Sequence, residues 1–218
     1  MNINYAIERL ITSILTGQRL EAMDLLDEWS LRIHWRKTIT DILEPTLEEI
    51  GRRWEAEKIS LAVGYLAGKI AEDVLLKAAL AEEAVPETKG PVIIGNVEDD
   101  YHALGRRLVC VFLKTAGWKV IDLGNDVQAV DFVDAAEEND APIIAVSAMM
   151  LTTAENIRKI RNELDRRGQT GNIMLAVGGA VFKARPELMK EVEGDGTVAN
   201  AVDAPRLMDQ LLEQRKKP

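Results

Sequence analysis

The stretch Pro91–Gly105, PVIIGNVEDDYHALG, runs from branched apolar residues into a short acidic turn and out into a helix-like segment. An apolar run closed by a polar turn has the pattern of a strand buried on both faces of a parallel sheet. The turn contains His102, one of only two histidines in the chain. By itself this also fits a polar loop with an ordinary surface histidine, so the meaning of His102 depends on what surrounds it.

The same rhythm continues downstream. The runs PVIIGNV, WKVIDLG, PIIAVSA and NIMLAVGG, with a weaker fifth at GTVAN, alternate with helical stretches near 102–115, 127–138, 153–167, 183–192 and 203–215. Five strand–helix units predict a flavodoxin-like (Rossmann-like), doubly wound, parallel five-stranded sheet covered on both faces. Ligands bind such sheets at the carboxyl ends of the strands. Three separate elements deliver unusual residues to that rim: Asp100, His102 and Gly105 after the first strand, Ser147 at the end of the third, and Gly178-Gly179 at the end of the fourth.

Upstream the texture differs. Ile3, Ile7, Leu10, Ile11 and Ile14 recur at helical spacing, and Ala22, Leu25, Leu26 and Trp29 repeat the pattern beyond a break at Gly17. A third stripe runs from Ile39 to Trp54, with Pro45 marking a kink or a fresh helix start, and a fourth links Leu66, Ile70, Val74 and Ala78. Four amphipathic segments predict a four-helix bundle, giving an α + α/β chain overall. The boundary falls at AVPETKG (84–90): a helical domain over 1–85, a linker over 86–90 and an α/β domain over 91–218.

Composition narrows the function classes. The 218 residues carry a formal charge of −9, which argues against nucleic acid or an anionic membrane as the main partner. The basic residues cluster only at Arg215-Lys-Lys. A single cysteine forms no internal disulfide, and Cys110, within LVCVFL, reads as a small buried hydrophobe rather than a reactive thiol. MNINYAIERL has no signal-peptide pattern, and no apolar run approaches membrane-spanning length. The expectation is a soluble, cytoplasmic protein.

Taken together, the rim residues resemble the cobalamin-binding domains of corrinoid-dependent methyltransferases and of methionine synthase. The signature of that family is Asp-x-His-x-x-Gly, later Ser-x-Leu, and later Gly-Gly. Here Asp100–Gly105 supplies the first element, Ser147-Ala148-Met149 the second after positions 106–146, and Gly178-Gly179 the third after positions 150–177. Asp195–Ala201 resembles the family's last turn, and a preceding helical bundle is the family arrangement. Four departures stand out: Met149 in place of Leu, Asp99 in place of a common Gly, Leu151 in place of a common Thr, and Thr197 where a bulky residue is frequent.

The resemblance implies cobalamin as cofactor, with its dimethylbenzimidazole tail detached from cobalt and threaded into the domain. His102 would take the vacated lower axial position, with Asp100 and Ser147 as its relay. Gly105, Met149, Thr152, Thr153, Gly178 and Gly179 would surround the tail, and Trp54 would contact the corrin from the helical cap. His34 reads as a surface or interhelix residue. The chain would carry a methyl group on cobalt as one component of a methyltransferase system, since a substrate barrel alone needs about 250 residues. Its partners would be a methyl-donor methyltransferase subunit, a methyl-acceptor methyltransferase and a reductive activator. The donor would be a methoxyarene, a methylamine or methanol, and the acceptor a carrier such as tetrahydrofolate. Two other readings stay open: a cobalamin-dependent sensor or regulator, and a phosphorelay module centred on Asp100 or Asp122.

Overall fold

The computed structural model describes residues 2–81 and 86–215. It divides into two compact units, split between residues 83 and 84. Residues 82–85 at the end of the expected helical domain, and Lys216 and Lys217 of the terminal basic cluster, lie outside the described residues.

The first unit is helical throughout. Helix α1 (Ile3–Leu15) is capped by the Asn2 side chain, which accepts from the Asn4 N–H at 3.1 Å. Helix α2 (Arg19–Thr38) runs into a π-helical turn, Ile39–Leu43, and this leads directly into α3 (Glu44–Glu55). Pro45 sits at the start of α3 directly after the π-helical turn, and the backbone on its N-terminal side stays helical. The break in this region falls instead at His34, whose φ of 64° and ψ of 158° interrupt α2. Helix α4 (Leu61–Ala81) packs against α2 and α3. Leu10, Ile14, Leu26, Ile39, Ile42 and Ile70 are fully buried, in keeping with the helical spacing of the apolar residues.

The second unit is a parallel sheet with helices on both faces. In chain order it comprises β1 (Lys89–Asn96), α5 (Ala103–Thr115), β2 (Trp118–Asp122), α6 (Ala129–Glu138) and β3 (Ile143–Ser147). There follow α7 (Leu151–Ala154), α8 (Ile157–Arg166), β4 (Met174–Gly178), α9 (Ala180–Ala184), α10 (Leu188–Glu191) and α11 (Ala204–Gln214). Strand β1 takes in Lys89 and Gly90 from the stretch expected to be linker. The strand order is β2-β1-β3-β4, all parallel. Alternate strand residues face opposite layers. Ile93, Ile144, Val146, Leu175 and Val177 meet α6 and α8, whereas Val92, Ile94, Ile143 and Met174 meet α5 and α11.

The sheet has four strands among the described residues, where the sequence pattern predicts five. At GTVAN the chain makes only an isolated bridge, Gly196 beside Ala176. The reason lies in Asp195, whose carboxylate accepts from the Leu175 N–H at 2.6 Å and from Arg161 at 2.8 Å. A side chain thus occupies the edge of β4 where a fifth strand would continue. Gly196 presses so close that a Cβ there would lie 2.7 Å from Leu207.

The order 2-1-3-4 reverses direction between β1 and β3. The loops after these two strands therefore diverge and open a crevice at their carboxyl ends.

Candidate functional site: a histidine–carboxylate pair at the switch point

The site is built from the loops after β1 and β3. Asn96, Ser147 and Gly178 stand side by side in register at the ends of β1, β3 and β4. Beyond Asn96 the chain turns sharply, and Asp99 adopts a φ of 67°. This is the left-handed conformation that a glycine would take freely, so the departure at position 99 keeps the turn and adds a carboxylate to it.

Asp100 is fully buried yet well supplied with donors. Its Oδ1 accepts from the Asn96 amide and from the His102 main-chain N–H, each at 2.9 Å. Its Oδ2 accepts from the Met149 N–H and the Thr153 hydroxyl, each at 2.8 Å. Burial pushes the carboxyl pKa up. The Met149 and His102 N–H groups, with Thr153 and Asn96, outweigh that and hold it below the usual carboxylate value. Asp100 is therefore an anion fixed in one orientation.

His102 caps the start of α5, with its Nδ1 3.3 Å from Asp100 Oδ1 and its side chain 46% exposed. A proton on Nδ1 directed at the carboxylate leaves the Nε2 lone pair free to bind a metal. Among the described residues no group of three or more metal-ligating side chains gathers anywhere. A single imidazole suits a metal whose equatorial positions are already filled by a macrocycle.

The residues expected to surround a bound tail divide into two groups. A Cβ added at Gly105 or at Gly178 would meet nothing within 4 Å, so both face open space at the sheet's rim. Beside β4, the Thr197 hydroxyl is buried without a hydrogen-bond partner among the described residues, leaving a polar atom available to a ligand. Gly179 behaves differently. Its φ is 117°, and a Cβ there would fall 2.0 Å from the Ala148 carbonyl oxygen, so the close approach of two backbones demands glycine.

The relay also differs from expectation. Thr153, not Ser147, donates to Asp100; Ser147 is half-buried, and its main-chain oxygen accepts from the Val97 N–H. Thr153 is thereby turned inward, away from any tail, while Thr152 is exposed. Met149 contributes its N–H to the carboxylate, and its side chain stays open to solvent beside Met150 and Leu151. Trp54 belongs to the helical unit, partly exposed, with its ring edge over Gly64. His34 is exposed at the break in α2.

Three functional-looking residues were not found from the sequence. Asp126 accepts from the Asp99 N–H at 2.8 Å and from the Tyr101 hydroxyl at 2.6 Å, pinning the turn that presents His102. The Tyr101 hydroxyl and the Asp99 N–H lower the Asp126 pKa. Asn96 and Arg106 form a buried pair beneath Asp100, with Arg106 Nε donating to Asn96 Oδ1 at 2.8 Å. No local pattern marks these residues, because their partners lie on other strands and loops.

The comparisons with known proteins agree with this geometry. Residues 90–206 match the family described as B12 binding domain, and residues 6–78 match a second family of the same description. The chain belongs to the B12-binding family. Its cofactor is cobalamin, and the fit of the lone imidazole and the open glycine rim is consistent with that. Dimethylamine corrinoid protein 3 of Methanosarcina acetivorans is 26% identical over 97% of this chain and 99% of its own length. Trimethylamine corrinoid protein 2 of the same organism is 39% identical over 52% of each chain. The solved monomethylamine corrinoid protein of Methanosarcina barkeri shares the fold, with a TM-score of 0.83 at 22% identity over 96% of this chain and all of that one. Among the described residues, no helix of this B12-binding protein is long and apolar enough to cross a membrane.

Proposed function

We propose that this protein is a corrinoid methyl carrier, shuttling a methyl group between a donor methyltransferase subunit and an acceptor methyltransferase. The single observation that carries the reading is the His102–Asp100 pair at the switch point of a B12-binding sheet. Several relatives are named as corrinoid proteins for dimethylamine or trimethylamine, which favours methylated amines as the donor class over methoxyarenes or methanol. A reductive activator completes the set of partners, and the location is the cytoplasm, away from nucleic acid and membrane.

Cobalamin, when bound, supplies the cobalt on which the methyl group travels. His102 Nε2 would be the protein's ligand to the cobalt, with its tautomer set by the Nδ1–H directed at Asp100 Oδ1. The buried Asp100 carboxylate would hold the imidazole in that orientation. Gly105, Gly178 and Ser147 leave room for the nucleotide tail, with Met149 and Thr152 at its mouth. Thr153 and Gly179 hold the surrounding backbone. The helical segment over 1–85 would act as a four-helix bundle that shields the cofactor, with Trp54 as a contact residue. The expected linker 86–90 would keep that role only over 86–88, ahead of β1, where the α/β domain begins.

The test is reconstitution with hydroxocobalamin, followed by reduction and addition of a donor subunit with a methylated amine. One bound cobalamin per chain, nitrogen splitting in the cobalt(II) paramagnetic spectrum and methylation of the cofactor only when the donor subunit is present are expected. A light-dependent change in oligomeric state, with no methyl transfer to any partner, would instead identify a sensor.

A further inference from the structure

We propose that Asn96 and Arg106 are positioning residues for His102, a pair that fixes the ligand loop to the sheet and so sets how fully the imidazole reaches cobalt. The inference rests on the reading of His102 as the lower axial ligand.

The geometry of Asn96 admits one amide orientation. Arg106 only donates hydrogen bonds, so its Nε at 2.8 Å must face the Asn96 oxygen. The Asn96 NH2 is thereby aimed at Asp100 Oδ1, 2.9 Å away, and at the His102 carbonyl oxygen, 3.2 Å away. One side chain therefore grips both the carboxylate beside the imidazole and the main chain of the ligand residue itself. The other donors to Asp100 come from the loops after β1 and β3 and from the short helix α7. Asn96 is the one anchored in a strand, at the end of β1.

Arg106 makes this arrangement rigid. Its side chain is 4% exposed, and its charge is paired with Asp122, the last residue of β2. Its other terminal nitrogen donates to Asn125 Oδ1 at 3.1 Å. A buried guanidinium deprived of such partners is strongly disfavoured, so Arg106 has little freedom to leave Asn96. A continuous chain of contacts thus runs Asp122–Arg106–Asn96–Asp100–His102, from the edge strand to the ligand. Simple packing beneath a loop would not require a fully buried amide, and it would not require that amide to be oriented by an arginine. The pair holds the ligand loop in the one register from which Nδ1 faces Asp100.

The experiment uses the full chain reconstituted with hydroxocobalamin and reduced to cobalt(II), comparing wild type with Asn96→Ala, Asn96→Asp and Arg106→Lys. The readout is the ratio of nitrogen-ligated to nitrogen-free cobalt by electron paramagnetic resonance at saturating cofactor. Thermal melts of the cofactor-free proteins establish folding. Loss of the amide donor in Asn96→Ala and Asn96→Asp should lower the ratio about tenfold, the scale on which partners of metal-binding histidines act. Arg106→Lys keeps the charge opposite Asp122 but loses the planar fork, and should give an intermediate fall. Undiminished nitrogen splitting in a folded Asn96 variant overturns the proposal. If neither Asn96 variant folds, an unchanged ratio in Arg106→Lys overturns it. Wild type lacking nitrogen splitting would remove His102 as ligand and the proposal with it. Splitting retained in wild type and variants alike would remove the proposal alone.

Discussion

The Thr153 hydroxyl donates to Asp100 Oδ2 at 2.8 Å, joining residues 53 positions apart in sequence, and it also reaches the Met150 carbonyl at 3.0 Å. It thereby ties the loop after β3 to the acid beside His102. Thr153→Val keeps the shape and deletes the donor. It should destabilise the cofactor-free protein by about 1.5–3 kcal/mol, the range for a hydrogen bond to a charged, buried group. Ser147→Ala, which removes a hydroxyl not bonded to Asp100, should cost less than about 0.5 kcal/mol. Urea unfolding of both variants separates them. The opposite ranking would return Ser147 to the role inferred for it from sequence.

Gly178 and Gly179 are adjacent, yet they should respond in opposite ways to the same change. Gly179→Ala places a methyl group against the Ala148 carbonyl in a left-handed backbone, and no flexible side chain is there to give way. A loss of more than about 3 kcal/mol is expected, visible as a fall in melting temperature or in soluble yield. Gly178→Ala points its methyl group into open space. Its stability should stay within about 0.5 kcal/mol of wild type, while its affinity for cobalamin falls because the methyl group occupies the tail's space. Equal stability losses in the two variants would contradict the separation of their roles.

Much of this site was legible because its residues are close in sequence or sit at strand ends. Asp100 and His102 share one turn, and Ser147 and Gly178 end strands whose branched apolar runs are plain. What could not be read was the direction of each side chain across the crevice. Thr153 and Ser147 are both hydroxyls on the same strand–loop–helix passage, and only the path of Met149–Leu151 decides which meets Asp100. The fifth strand was over-read because Thr197 and Val198 are good strand formers. That local preference yields to Asp195, which takes the β4 edge with its own carboxylate. In the helical region the Ile39–Trp54 stripe read as one segment, whereas its first turn is π-helical.

The acid side of the stability curve should carry a contribution from Glu163. Arg166 and Arg167 lower its pKa from 4.5 to about 2. A carboxylate whose folded pKa is depressed stabilises the fold fully above its unfolded value. That contribution is lost as pH falls through the folded one. The wild type should therefore exceed Glu163→Gln in melting temperature at pH 6, and the gap should shrink between about pH 4.5 and pH 2. Salt should narrow the pH 6 gap only in part, because Arg166 is exposed whereas Glu163 and Arg167 are largely covered. A gap independent of pH would mean that Glu163 acts through packing.

The sign of one substitution can establish whether α2 is broken in solution. His34 lies inside that helix with φ 64° and ψ 158°, a region that glycine alone enters freely. The break is held by burial on both sides: Trp29 before it, and Thr38, Ile39 and Ile42 after it, are buried. An unbroken helix would rotate one of these sets out of the core. The imidazole itself is exposed, so its removal forfeits little packing. With this backbone, His34→Gly relieves the strain and should stabilise the helical unit by about 1 kcal/mol, while His34→Val should destabilise it by at least as much. Were residue 34 in ordinary helical conformation, the ranking would invert. Glycine would then cost a few tenths of a kcal/mol relative to histidine through its poor helix propensity, and valine would be nearly neutral. Urea unfolding monitored by far-ultraviolet circular dichroism reads the sign directly, and a glycine variant less stable than wild type would rule out the break.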